Sequence, residues 1–134
     1  MNEELEKLQV SLTIFKEANT RLAEALEKPK DEFIRDSVIK RFEFTIELAW
    51  KTLKKYLIYE GEDSGGPRSV VEMAFKKKMI DDPLAWGKLI TARNETSHAY
   101  SEENADEVYN QIKKNKFLID QLVEKLSDFI SKSS

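Results

Sequence analysis

The sequence predicts an all-α fold, an antiparallel up-down four-helix bundle with a broken third arm, and three observations carry that expectation. Apolar residues recur at spacings of three and four through most of the chain. The short breaks between those runs hold all three prolines, Pro29, Pro67 and Pro83, and three of the four glycines. No run of alternating apolar and polar residues marks a strand. At 134 residues, 40% hydrophobic and 35% charged, the chain is one domain, residues 1–134, with enough apolar side chain for a single core.

The first helix is expected from about residue 2 to 27. Leu5, Leu8, Leu12, Phe15, Leu22 and Leu26 form its face, interrupted only at Asn19, and Lys28-Pro29-Lys30 closes it. Asp31 then caps a second helix running to about Glu60. Its stripe is Ile34, Val38, Phe42, Ile46, Ala49, Trp50, Leu53 and Leu57, widened by Ile39 and Leu48. The glycine-rich stretch 61–66 lacks the Gly-Lys-Ser/Thr of a phosphate-binding loop and follows no strand, so it reads as a connector. Pro67 suits the first turn of a third helix, expected to end near Ile80 and held by Val71, Met73, Ala74 and Phe75. Asp81-Asp82-Pro83 opens a fourth, to about Glu95, with Leu84, Trp86, Leu89 and Ile90 as candidate core. Asn104 with Glu107 resembles a capping box and starts the last helix, carrying Val108, Ile112, Ile119, Leu122, Leu126 and Phe129 or Ile130. The third helix is short, so it and the fourth read as two pieces of one arm, and short connections favour antiparallel neighbours.

Composition excludes several classes. The net charge of −3 speaks against a protein that coats nucleic acid over a whole basic face, although not against a local basic cleft. No stretch approaches the roughly 18–20 apolar residues of a membrane span, so no membrane partner is expected. With no cysteine there are no disulfides or thiolate metal sites, and the polar, acidic start of the chain is unlike a secretory signal; both fit a cytoplasmic protein.

Chemistry concentrates in residues 93–100, Arg-Asn-Glu-Thr-Ser-His-Ala-Tyr. His98 is the only histidine of the chain, and histidine both accepts and donates a proton near neutral pH. Arg93, five residues before it, offers a fixed fork of donors suited to a pair of phosphate oxygens. Tyr100 adds a hydroxyl, and Asn94, four before His98, would share its face in a continuing helix. A proton shuttle beside a phosphate clamp is a minimal kit for cutting a phosphodiester. The plainer alternative is a histidine that meets the carbonyls at a helix end, an aromatic at the core edge and a solvated arginine. Glu43 and Glu47, four apart with Lys51 next along, could hold a hard cation but fit a salt-bridged helix face better; no metal and no cofactor are expected. The lysine clusters at 76–78 and 113–116 read as ordinary surface.

Arg93-x4-His98-x-Tyr100 resembles the R-x4-H-x-Y signature of HepT-type proteins in the HEPN superfamily. The run from Arg41 to Lys54 is similar to the second helix of the group called nucleotidyltransferase substrate-binding proteins, and Pro67, Ala74-Phe75, Ile80-Asp81, Trp86 and Arg93-Asn94 follow in that family's order. The resemblance spans roughly residues 5–130. It implies a dimer of four-helix bundles and a separately encoded minimal nucleotidyltransferase as partner, the pair acting as toxin and antitoxin. It also implies a metal-independent ribonuclease site built from two facing copies of R-x4-H. Carried over, His98 is the general base or acid, Arg93 the phosphate clamp, Asn94 a stabiliser of phosphoryl oxygens, and Tyr100 the hydroxyl to which the partner transfers AMP. RNA would be the substrate. The alternative is a non-catalytic module that docks on the nucleotidyltransferase and presents its substrate. Phe33, Phe44 and Leu48, outside the bundle stripe, are the expected contributors to a copy interface.

Overall fold

The computed structural model describes residues 2–96 and 101–133, which form five helices and no strand. These are α1 (Glu3–Glu27), α2 (Glu32–Tyr59), α3 (Pro67–Lys76), α4 (Pro83–Thr96) and α5 (Glu102–Ser133). The His98 and Tyr100 assignments lie outside the described residues. No helix among those described is long and apolar enough to cross a membrane.

The starts are fixed by side-chain caps. Asn2 accepts from the amides of Glu4 and Leu5, Asp31 from that of Ile34 at 2.7 Å, and Asp82 from that of Ala85 at 2.9 Å. The last helix begins earlier than expected. Ser101 Oγ accepts from the Asn104 amide at 3.2 Å, so Asn104 sits inside the first turn and Ser101 is the cap. At its other end α2 is closed by Gly61, whose φ of 82° lets the Glu62 amide reach back to the Leu57 carbonyl at 2.8 Å.

Contacts set the helix directions. Ser11 meets Thr52 and Arg41 meets Arg21, so α1 and α2 are antiparallel. Arg35 meets Glu102 at one end of α2 and Tyr56 meets Phe129 at the other, so α2 and α5 run parallel. Asp81, just before α4, pairs with Lys125 of α5 while Arg93 near its end pairs with Glu47 of α2, so α4 returns against both. α2 packs on all four other helices; α3 packs only on α2 and α4 among the described residues. The expected third arm is therefore uneven. α4 lies between α2 and α5, whereas α3 is a short piece leaning on α2 and α4.

The core holds Phe15, Leu22, Phe42, Ile46, Leu53, Trp86, Ile119 and Leu122, as the apolar stripes require. Two expected core residues are exposed instead: Leu84 is 71% accessible, and Phe75 also faces out. Val70, Met79 and Ile80 are buried in their place, the last two beyond the end of α3. Phe33 (82%) and Phe44 (57%) stay exposed and Leu48 half-buried, as side chains outside the bundle stripe should. Asn19, the interruption of the α1 stripe, is buried and donates to Asp120 of α5 at 2.8 Å.

Candidate phosphate-binding site at the end of α4

The last turn of α4 presents Arg93 and Asn94, and α2 holds Arg93 in place. Glu47 Oε2 accepts from Arg93 Nη2 at 3.0 Å and from the Trp50 indole at 3.1 Å. Glu47 Oε1 pairs with Lys51 at 3.1 Å. Partial burial works against the charge on Glu47, yet the Trp50 and Lys51 hydrogen bonds and the Arg93 charge outweigh it and hold the carboxyl below its ordinary value. The Glu43/Glu47 spacing thus belongs to a salt-bridged face, and no cluster of three metal-ligating side chains occurs among the described residues.

On the other terminal nitrogen, Nη1 of Arg93 donates to the Asn94 side-chain oxygen at 3.2 Å. Nε is buried without a partner among the described residues. A guanidinium carries two hydrogens on each terminal nitrogen. One on each is engaged here, which fixes the plane of the fork and leaves a second donor on each without a partner among the described residues. The side chain is 31% accessible, enough for an oxyanion to reach it. Thr96, buried behind this turn, closes it by donating from Oγ1 to the Arg93 carbonyl at 3.1 Å. Two cavities flank the turn: one of about 650 Å³ between α3 and α4, bordered by Asn94 and Glu95, and one of about 420 Å³ between α4 and α5, bordered by Thr96 and Asn104.

At its start, α5 is anchored to α2 by a buried arginine. Arg35, 5% accessible, makes a two-pronged pair with Glu102 at 2.6 and 2.9 Å and reaches Asp36 and Asp106. The Arg35 hydrogen bond holds the Glu102 carboxyl below its usual value, and Lys30 with Arg35 does the same for Asp106. Both flanks of residues 97–100 are thereby tied to the same helix, through Glu47 on one side and Arg35 on the other.

The family description "Nucleotidyltransferase substrate binding protein like" matches residues 6–128, nearly the whole chain. The chain belongs to that family. A Haemophilus influenzae protein named probable ribonuclease HepT is 34% identical over 93 residues, covering 63% of this chain; the match spans 64% of that relative's length, just under two-thirds. A solved structure from Thermus thermophilus superimposes with a TM-score of 0.77 at 27% identity, covering 84% of this chain and 98% of that one.

Within this member of the family, the described tyrosines differ in how reachable they are. Tyr56 and Tyr109 are buried, and burial beside Glu60 pushes the Tyr56 phenol up to about 12. Neither hydroxyl is presented for modification, whereas Tyr59 is half-buried. Sequence reasoning named Arg93 and Asn94 as candidates and did not show the support that Glu47, with Trp50 and Lys51, gives Arg93. Only the Glu47/Lys51 spacing was visible, and it carries no hint of α4.

Proposed function

We propose that this chain is the HepT-like subunit of a two-component pair: a metal-independent endoribonuclease, active as a homodimer, that a separately encoded minimal nucleotidyltransferase silences by AMP transfer to Tyr100. Family membership and the name of the Haemophilus relative support the pairing and the activity. The observation that carries the reading is the posture of Arg93. Its fork is held by Glu47 and Asn94 with one donor on each terminal nitrogen unpartnered among the described residues, five residues before the only histidine of the chain.

The reaction uses the substrate's own nucleophile. His98 takes the proton of an RNA 2′-OH, the 2′ oxygen attacks the adjacent phosphorus, and the 5′ oxygen leaves with a proton from an acid. The products are a 2′,3′-cyclic phosphate and a 5′-OH. Arg93 offsets the charge that builds on the non-bridging oxygens, with Asn94 beside it. One histidine per chain makes the second acid-base group a contribution of the other copy. AMP on Tyr100 would add a bulky anion close to the clamp and repel an incoming phosphate.

Cleavage of a labelled RNA by the purified protein, followed with and without EDTA, tests the reading. Activity should survive EDTA and fall by about 10²–10⁴-fold in His98→Ala. Arg93→Lys should not restore what Arg93→Ala loses, because an ammonium cannot reproduce the fork. Activity that EDTA abolishes, or that His98→Ala leaves intact, would sink it. The second reading, a non-catalytic docking module, is favoured by the ion pair that already engages Arg93. Tight binding to the nucleotidyltransferase with neither cleavage nor AMP label on the wild type would establish it. With the label present, Tyr100→Phe should lose it.

A further inference from the structure

Away from the end of α4, the groove between α1 and α2 carries a second concentration of positive charge. Between residues 40 and 55, α2 has five cations against two carboxylates, in a chain whose net charge is −3. Lys40 and Lys51 pair with Glu43 and Glu47 of their own helix. Arg21, Arg41 and Lys55 have no carboxylate partner among the described residues. Arg41 is held across the groove, its Nη1 donating to the Arg21 carbonyl at 2.6 Å.

Three cavities of about 620, 540 and 650 Å³ run along this groove, the first two sharing Ile14 and Leu48 and the last two sharing Lys7, Lys51 and Lys55. Phe44 lines the first with its ring more than half exposed and the Lys40 ammonium 5.5 Å from the ring centre. Glu17 is the carboxylate that lines the same cavity.

We propose that this groove is a track for a single-stranded polynucleotide, with backbone phosphates on Arg21, Arg41 and Lys55 and a base stacked on Phe44. Unpaired cations in a row neutralise a regularly charged backbone, and an exposed aromatic between them accepts any base face. The stretch from Lys40 to Lys55 is about 22 Å long, the scale of a single-strand site of about four nucleotides. It adjoins the phosphate clamp part-way along, since Lys51 bonds Glu47 and Glu47 bonds Arg93. Glu3 and Glu6 line the second cavity and Glu4 the third, so the groove carries an excess of cations over carboxylates. A two-fold interface centred here would bring that excess together, so a second copy of the chain suits the groove less well. That the strand is RNA rests on the ribonuclease reading; the track itself does not.

Binding of a short fluorescein-labelled oligouridine to the full chain, followed by anisotropy over a salt series, tests this. The combined variant Arg21→Ala, Arg41→Ala, Lys55→Ala should flatten the slope of log affinity against log salt by about 2. Phe44→Ala should weaken binding about tenfold while Phe44→Trp retains it. All four side chains are at least partly exposed, so circular dichroism should show the fold unchanged. A wild-type protein that fails to bind at low salt, or a triple variant that binds as wild type does, overturns the track. A triple variant that changes mass in light scattering but not affinity makes the groove a copy interface and also overturns it. If the track variants weaken binding yet no protein cleaves RNA, the track stands and the ribonuclease reading falls. Cleavage with unchanged KM in the triple variant gives the reverse.

Discussion

Glu47 is where α2, α4 and the candidate chemistry meet, because one carboxylate holds Trp50, Lys51 and Arg93 together. Its folded-state pKa lies below the ordinary value, so the ionised form binds more strongly to its surroundings in the native state than in the unfolded chain. Stability from such a group is fully present above the unfolded pKa and is lost as pH falls through the folded one. Urea unfolding should therefore find the wild type more stable than Glu47→Gln at pH 7. The gap should close as the pH drops below roughly 4. A gap that does not change with pH would mean the carboxylate contributes shape and not charge. At this scale the motif of the site was legible and its support was not. Arg93 and Asn94 are set by spacing to a lone histidine, which a sequence displays directly. The partnership with Glu47 crosses between helices far apart in the chain. Arg35 shows the same limit: an arginine among apolar neighbours reads as a solvated charge, and only the arrival of Glu102 and Asp106 from α5 makes its burial tolerable.

Most helix starts were readable because they depend on local hydrogen bonds: Asp31 and Asp82 cap where a short polar side chain precedes an apolar run, whereas Ser101 caps the last helix ahead of the expected Asn104. Helix ends were readable only where glycine or proline stands, as at Pro29 and Gly61. The end of α3 has neither. Lys78 supplies the left-handed turn with φ 64°, and the Met79 amide reaches back to the Ala74 carbonyl at 2.9 Å. Met79 and Ile80 are buried after that turn, so their apolar character mimics a continuing helix stripe. The same confusion of sequence rhythm with burial put Leu84 and Phe75 in the expected core. A β-carbon in the left-handed region costs about 1–2 kcal/mol, partly offset by the entropy a glycine loses on folding. Lys78→Gly should thus raise the urea midpoint, by about 0.5–1 kcal/mol in unfolding free energy, with no change in the slope m. A neutral or destabilising result would indicate that the Lys78 side chain contributes contacts worth more than the strain.

For the whole molecule, the two grooves of the surface differ in charge and so in the partner each suits. The α1–α2 groove has an excess of cations over Glu3, Glu4, Glu6 and Glu17. The α3–α4 groove beside Asn94 is lined by Arg68 and Lys88 on one side of the balance and Glu72 and Glu95 on the other, around the exposed Leu84. An isologous interface must complement itself, and a patch with equal numbers of each sign does so more readily than one with an excess of cations. Phe33, Phe44 and Leu48 are the expected contributors to a copy interface; with Phe44 and Leu48 assigned to the track, we propose α3–α4 for that interface. A two-fold axis there would also bring two Arg93 turns near each other, as a composite site with a single histidine per chain requires. Light scattering at micromolar concentration should give about twice 15.6 kDa. Leu84→Glu sets two carboxylates against each other across the axis and should yield monomers with unchanged helix content. Cleavage by that variant should collapse with the dimer, while its oligouridine affinity holds. A variant that remains dimeric would move the interface elsewhere on the bundle. A monomer that cleaves RNA at the wild-type rate would remove the need for a second copy and return the missing acid-base group to the chain itself.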